Sequence, residues 1–248
     1  MQLLILGGTT EASALARRLA GRSDIHAILS FAGRTSNPAT PPIPFRSGGF
    51  GGAAGLAAWL RDQRIEAVID ATHPFAQQIS ANAAAACGEL GLPLAILGRP
   101  GWTQGDGDRW IRVADMAAAV RALGEAPRRV FLTIGGLQLA QFARAPQHYY
   151  VVRTIERPQS IDMPASHRLI LARGPFDVAG EVALMRDEGI EILVTKNSGA
   201  AATGAKLEAA RQLGVGVVMI DRPAAGRVPM LHDIDQAMAW IDGHNSAP

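Results

Sequence analysis

Three apolar runs in the second half of this 248-residue chain each end on a cation. Leu169–Ala172 runs into Arg173, Ile192–Thr195 into Lys196, and Val217–Asp221 into Arg222. Each is followed by turn chemistry: Gly174-Pro175, Asn197-Ser198-Gly199 and Pro223. If the three runs are neighbouring parallel strands, their carboxyl ends face one crevice, which is where open α/β sheets bind ligands. The chain's only two lysines, Lys196 and Lys206, lie in one segment, TKNSGAAATGAK (195–206), which reads as a loop opening into a helix. Ser198, Thr203, Lys206 and the free backbone N–H groups of a helix start are all donors for carboxylates. The bland alternative is that each cation is a solvated strand end, and three in succession weigh against it. The chemistry implied is capture of a small polyanion. The phosphate-loop pattern GxxxxGK[ST] is absent, which argues against ATP hydrolysis by that route. A net charge of +2 with no basic run argues against nucleic acid.

The first half carries a different signature. Leu3–Leu6 ends in Gly7-Gly8-Thr9-Thr10-Glu11-Ala12 and passes into helical spacing. In a doubly wound fold this turn receives a cofactor pyrophosphate, because glycines let the backbone approach and the helix start attracts anions. Thr9 or Thr10 can cap the helix or bond a phosphate oxygen. The spacing departs from G-x-G-x-x-G, and an ordinary tight turn is the alternative. The next apolar run ends in Gly33-Arg34-Thr35, with Arg34 27 residues after Gly7. An acidic residue near this place bonds the ribose 2′-hydroxyl of NAD; an arginine suits the 2′-phosphate of NADP. A second glycine loop, Arg46-Ser-Gly-Gly-Phe-Gly-Gly, matches the dinucleotide fingerprint by letter at Gly49, Gly51 and Ala54. The residues before it are proline-rich and do not read as a clean strand, so Arg46, Gly49 and Phe50 are assigned to the substrate instead. Asp70, Thr72 and His73 close a third run, and Pro74 suits the first turn of the helix that follows. His73 can donate a proton or position a nicotinamide; the alternative is a bond to backbone. Gly7, Gly8, Thr9, Thr10, Glu11, Gly33, Arg34, Thr35, Asp70, Thr72 and His73 are thus the candidate NADPH contacts.

The elements that must position these residues alternate along the chain. Short apolar runs at 3–6, 27–31, 67–69, 94–97, 130–134, 149–152, 169–172, 192–194 and 217–220 read as strands buried on both faces. Helical spacing separates them, at roughly 10–20, 53–63, 75–90, 115–124, 137–144, 178–188, 203–213 and 233–242. The fold class is α/β with parallel sheets and crossover helices. Two domains of roughly 1–125 and 126–248 are expected, and strand exchange between them stays open. Hydrophobic residues make up 48% and charged residues 19%, which excludes a disordered chain. The single cysteine, Cys87, excludes a disulfide framework and a multi-cysteine metal site. No apolar run approaches the roughly 18 residues of a membrane span. The N-terminus lacks a cationic leader region, so a cytoplasmic protein is expected.

The segments LGGTTEA (6–12), GRT (33–35), GGFGG (48–52), DATHPFA (70–76), RPGW (99–102), FLTIG (131–135), ARGPF (172–176), TKNSGAAATGAKLEAAR (195–211) and IDRP (220–223) resemble the precorrin-6A reductase family of cobalamin biosynthesis. The resemblance runs over nearly the whole chain. It implies two Rossmann-like parallel-sheet domains with the active cleft between them, NADPH on the first and a tetrapyrrole on the second. It implies an oxidoreductase acting on a CH–CH group, which reduces a ring double bond of precorrin-6A to give precorrin-6B without metal or flavin. The macrocycle's acetates and propionates fit the cationic strand ends, with Arg173, Lys196, Lys206 and Arg222 as carboxylate clamps. Each charge-assisted contact contributes about 1.5–3 kcal/mol. The reaction also needs a proton, from solvent, from His73 or from Lys196. Two readings stay open beside this one: a cobalt-precorrin-6A reductase of the anaerobic route, and a non-enzymatic NADP-binding regulator. A short-chain dehydrogenase is excluded, because Tyr149 and Tyr150 are followed four residues on by Arg153 and Thr154 rather than lysine. No nucleic acid or membrane partner is expected; transient contact with neighbouring pathway enzymes stays open.

Overall fold

Apolar side chains on successive residues of a strand need cover on both faces, and the fold supplies it twice. The structure, a computed structural model, describes residues 1–32, 40–159, 163–223 and 226–245. The first sheet is built from β1 (Gln2–Leu6), β2 (His26–Phe31), β3 (Phe45–Ser47), β4 (Ala67–Asp70) and β5 (Leu94–Leu97), with α1 (Thr10–Leu19), α2 (Gly52–Asp62) and α3 (Gln77–Leu90) between them. The second comprises β6 (Trp110–Val113), β7 (Arg129–Thr133), β8 (Tyr149–Thr154), β9 (His167–Leu171), β10 (Ile192–Lys196) and β11 (Gly216–Ile220). Its connections hold α4 (Met116–Ala122), a 3-10 helix (Gly136–Arg144), α5 (Val178–Asp187) and α6 (Ala205–Leu213). The chain then returns to the first sheet with β12 (Met230–Leu231) and α7 (Ile234–Asn245).

Both sheets are parallel throughout and six-stranded. One has the order β3-β2-β1-β4-β5-β12, the other β9-β8-β7-β10-β11-β6. Each reverses direction at its centre, between β1 and β4 and between β7 and β10, which creates a switch-point crevice at the carboxyl edge. In β1, Leu3 and Ile5 face α1 and α7, while Leu4 and Leu6 face α2 and α3. Helix α1 buries Ala12, Leu15, Ala16 and Leu19, the i, i+3, i+4, i+7 stripe of an amphipathic helix. Full burial of Leu15 and Leu19 contributes about 1.5–3 kcal/mol each. In the second sheet Phe131, Val151, Leu193 and Val217 pack against Leu207, Ala209 and Ala210 of α6 and Met185 of α5.

Two compact units result: Met1–Pro100 with Pro223–Pro248, and Gly101–Arg222. The expected boundary at 125/126 therefore falls inside the second unit. Strand β6 pairs with β11, and β12 pairs with β5, so the chain crosses between units at 100/101 and again at 222/223. The α/β class and the parallel sheets are as expected. Three strands, β3, β6 and β12, were not. All are edge strands, with one neighbour each and too little burial to show as apolar runs. Helix α3 begins at Gln77, which leaves Pro74 in a turn ahead of it rather than in its first turn.

Candidate active site

In the first unit the switch point lies between the turn after β1 and the turn after β4. Gly7 N–H donates to Ser30 O at 2.8 Å, which holds the first turn flat against β2. A Cβ at Gly7 would stand 2.6 Å from Leu29 Cδ1, and Gly8 has φ +123°, so glycine is needed at both positions. Thr9 caps α1: its Oγ1 accepts from Ala12 N–H at 3.2 Å and donates to Ala71 O at 2.7 Å. A bare backbone turn running into the positive end of α1 fits a dinucleotide pyrophosphate. Thr10 and Glu11 both meet Arg99, which follows β5: Arg99 donates to Thr10 Oγ1 at 3.2 Å and pairs with Glu11 at 2.8 Å. Arg99 thus brings a cation to the α1 start that was not singled out as a site residue, although it sits in the RPGW motif.

After β4, Asp70 is buried, and its Oδ1 accepts from both Thr72 N–H (3.0 Å) and Thr72 Oγ1 (2.6 Å). Its carboxylate shapes the turn that presents His73. His73 is exposed, and its Nδ1 accepts from Phe75 N–H at 3.2 Å. In the neutral ring the proton then sits on Nε2. Gly33, Arg34 and Thr35 lie outside the described residues.

Arg46, Gly49 and Phe50 belong to this first sheet, since β3 runs straight into their loop and α2 follows. The glycine loop is therefore a strand–turn–helix connection after all. Arg46 donates to Ser30 Oγ and Gly48 O at 2.9 Å and to Gly49 O at 3.0 Å, and its guanidinium stacks 3.9 Å from the Phe50 ring centroid. Those contacts tie the loop to the end of β2. A separate cavity of about 440 Å³, lined by Gln2, Leu19, His26 and Ile43, opens at the amino ends of β1 and β2, away from these turns.

In the second unit Arg173, Lys196 and Arg222 do stand at one carboxyl edge, but not on three neighbouring strands. β10 and β11 are adjacent, whereas β9 is separated from β10 by β7 and β8. Three strand spacings place Arg173 about 14 Å along the edge from Lys196. Arg222 Nε donates to Asn197 O at 2.7 Å. The 195–206 segment is a loop leading through a short 3-10 turn (Ala201–Thr203) into α6, as expected. Ser198 Oγ accepts from Ala200 N–H (3.4 Å) and Thr203 Oγ1 donates to Ala200 O (3.4 Å), so both hydroxyls shape that loop. Asn197 pins the incoming chain by accepting from Trp102 N–H at 2.7 Å and donating to Trp102 O at 3.1 Å.

Lys206 does not stand with these cations, of which Arg173 is exposed and Lys196 and Arg222 are half-buried. It is 4% exposed in the first turn of α6, near a buried ion pair in which Arg153 of β8 grips both carboxylate oxygens of Glu181 of α5. Phe176 and Phe131 cover the Arg153 guanidinium, at 3.7 and 4.9 Å to the ring centroids. Burial pushes the Lys206 ammonium down from 10.5 to about 7; Arg153 adds to the fall and Glu181 opposes it. Arg153 and Glu181 were not among the site residues expected. The available signal was an arginine inside an otherwise apolar strand, which is seldom buried unless paired.

Comparison with known proteins agrees with this geometry. A family model described as "Precorrin-6x reductase CbiJ/CobK" matches residues 2–242. A precorrin-6A reductase of Rhodobacter capsulatus is 48% identical over 248 residues, all of this chain and 98% of that protein. A solved structure, "CobK precorrin-6A reductase", covers all of this chain and 98% of its own, with 48% identity and a TM-score of 0.91. A cobalt-precorrin-6A reductase of Priestia megaterium is 28% identical over 181 residues, 68% of this chain and 69% of that protein. With parallel sheets, a glycine turn at one switch point and a cationic edge at the other, this chain belongs to the precorrin-6x reductase family.

Proposed function

We propose that this protein catalyses the NADPH-dependent reduction of a macrocycle double bond in precorrin-6A, giving precorrin-6B, a step of cobalamin biosynthesis carried out in the cytoplasm. The carrying observation is the full-length 48% identity to a precorrin-6A reductase, and the glycine turn at the first sheet's switch point supports a nicotinamide cofactor there. The lower, partial identity to the cobalt-precorrin-6A reductase favours the metal-free substrate. Arg34 supports NADPH over NADH, since a guanidinium matches a 2′-phosphate.

Gly7, Gly8, Thr9 and the start of α1 bind the pyrophosphate, with Arg99 and Glu11 closing that turn. When bound, the nicotinamide supplies the hydride. His73 carries a proton on Nε2 and delivers it to the neighbouring carbon; Lys196 is the second candidate for that proton. In the second unit Arg173, Lys196 and Arg222 take carboxylates along an edge whose length suits a macrocycle rather than a single small acid. Leu137, Ile155 and Leu171 are exposed at or just past the carboxyl ends of β7, β8 and β9, and they offer apolar contact to a flat ring. The cations also stabilise negative charge that develops as the ring is reduced.

Mixing the protein with precorrin-6A and NADPH and following loss of NADPH absorbance tests the assignment. Stoichiometric loss is expected. Turnover of cobalt-precorrin-6A alone moves the protein to the anaerobic route, and cofactor binding without consumption of NADPH with either substrate makes it a regulator.

A further inference from the structure

Lys206 is a buried cation without an acceptor. Its ammonium has three donors, and among the described residues none of them meets a hydrogen-bond acceptor or an ion-pair partner. The Trp102 ring lies beside it, with its centroid 5.4 Å from Nζ. The charged groups acting on it are Arg153, from β8, and Glu181, from α5. Glu181 is already committed, both oxygens to Arg153. With all three ionised, the cluster holds one positive charge in excess, largely shielded from water. Burial of an unpaired charge is strongly unfavourable, and so is a buried donor left unmade. A packed methionine would fill the same space without either cost, so an ammonium here is best matched to an anion that comes and goes.

We propose that Lys206 binds one carboxylate of the substrate and takes up a proton from solvent as that carboxylate arrives. The proposal rests on the reading of the substrate as a polycarboxylate macrocycle and adds the charge state of one contact. Without ligand the amine is largely neutral at pH 8 and tolerates burial. An incoming carboxylate supplies the missing acceptor and the missing charge together, and the amine becomes an ammonium. Arg153 and Glu181 are positioning residues: their mutual pairing withholds Glu181 from Lys206, which keeps Nζ available. Trp102 is only part-buried, and its ring is the cover beside which the carboxylate must enter. The pairing is self-limiting, because the proton enters only with the anion.

Having only two lysines makes the test direct. Protein grown with lysine labelled with carbon-13 at Cε gives two signals, and Lys206→Arg removes one and so assigns it. Titrated without ligand, the Lys206 signal is expected to change near neutral pH, and saturation with precorrin-6B is expected to move that change upward by at least two pH units. In parallel, calorimetry of precorrin-6B binding at pH 8 in buffers of different ionisation enthalpy should show uptake of close to one proton. Lys206→Met should lose the uptake and weaken binding about 10- to 100-fold, while Lys206→Arg should recover affinity without uptake. Titration near pH 10 in the free protein, or normal turnover and binding with no shift on saturation, overturns the proposal alone. Absence of both precorrin-6B binding and NADPH oxidation rejects the assigned function, and the proposal falls with it.

Discussion

Thr9 Oγ1 donates to the carbonyl of Ala71 at 2.7 Å, so one hydroxyl joins the turn after β1 to the turn after β4. The same oxygen accepts from Ala12 N–H and starts α1. The turn proposed to receive a pyrophosphate and the turn that carries His73 are therefore linked by one side chain, beside the backbone bond from Ala71 N–H to Leu6 O. Thr9→Ala removes a cap and a cross-turn bond, with an expected loss of about 1–2 kcal/mol in urea unfolding. KM for NADPH should rise several-fold with it. Thr9→Ser keeps the oxygen and should restore both; if it behaves like alanine, the hydroxyl is not the link.

Gly7→Ala places a methyl group against buried Leu29 and against any phosphate approaching the turn. Overpacking costs about 1–3 kcal/mol. KM for NADPH should rise at least tenfold while precorrin-6B binding, measured without cofactor, stays as it was. Loss of tetrapyrrole binding in this variant would contradict the division of labour between the two switch points.

Arg34→Ala should weaken NADPH far more than NADH, by about tenfold or more in the ratio of kcat/KM values, since a 2′-phosphate contact is worth about 1.5–3 kcal/mol. Equal losses with both coenzymes would remove Arg34 from the cofactor site.

Lys206 makes the protein's stability depend on pH. Its amine has a pKa of about 7 when folded and 10.5 when unfolded. Between those values the unfolded chain holds a proton that the folded chain lacks, so stability rises with pH from about 7 to 10.5, and that gain is lost as pH falls back to about 7. Lys206→Met has no such dependence. Its melting temperature relative to the parent should be lowest near pH 10, climb as pH falls to 7 and level off below. A difference that is constant across this range would show that Lys206 is not buried as an amine.

The Arg153–Glu181 pair should respond unequally to its two removals. Glu181→Gln leaves the Arg153 guanidinium buried beside the Lys206 amine with no anion and should cost about 3–5 kcal/mol in denaturant unfolding. Arg153→Met leaves Glu181 beside Lys206, which can take over as its partner, and should cost less. Equal costs would mean that Lys206 does not share the environment of the pair.

Most of this was legible along the chain. Nine strands are apolar enough to stand out, eight inside a sheet and β9 at an edge, and the glycine turn, DATHPFA and the cationic strand ends follow from what a parallel sheet puts at its carboxyl edge. Three things were decided only by the tertiary structure. The edge strands β3, β6 and β12 take their conformation from a neighbour rather than from their own burial, as the exposed Phe45 and Ile111 show. The unit boundary depends on which sheet takes the last strand: β12 pairs beside β5 in the first sheet, although the whole second sheet lies between them in the chain. The Lys206 cluster joins β8, α5 and α6, whose residues are far apart in the chain. Their pairing and the pKa of Lys206 come from shared burial, a property that no local pattern of residues carries.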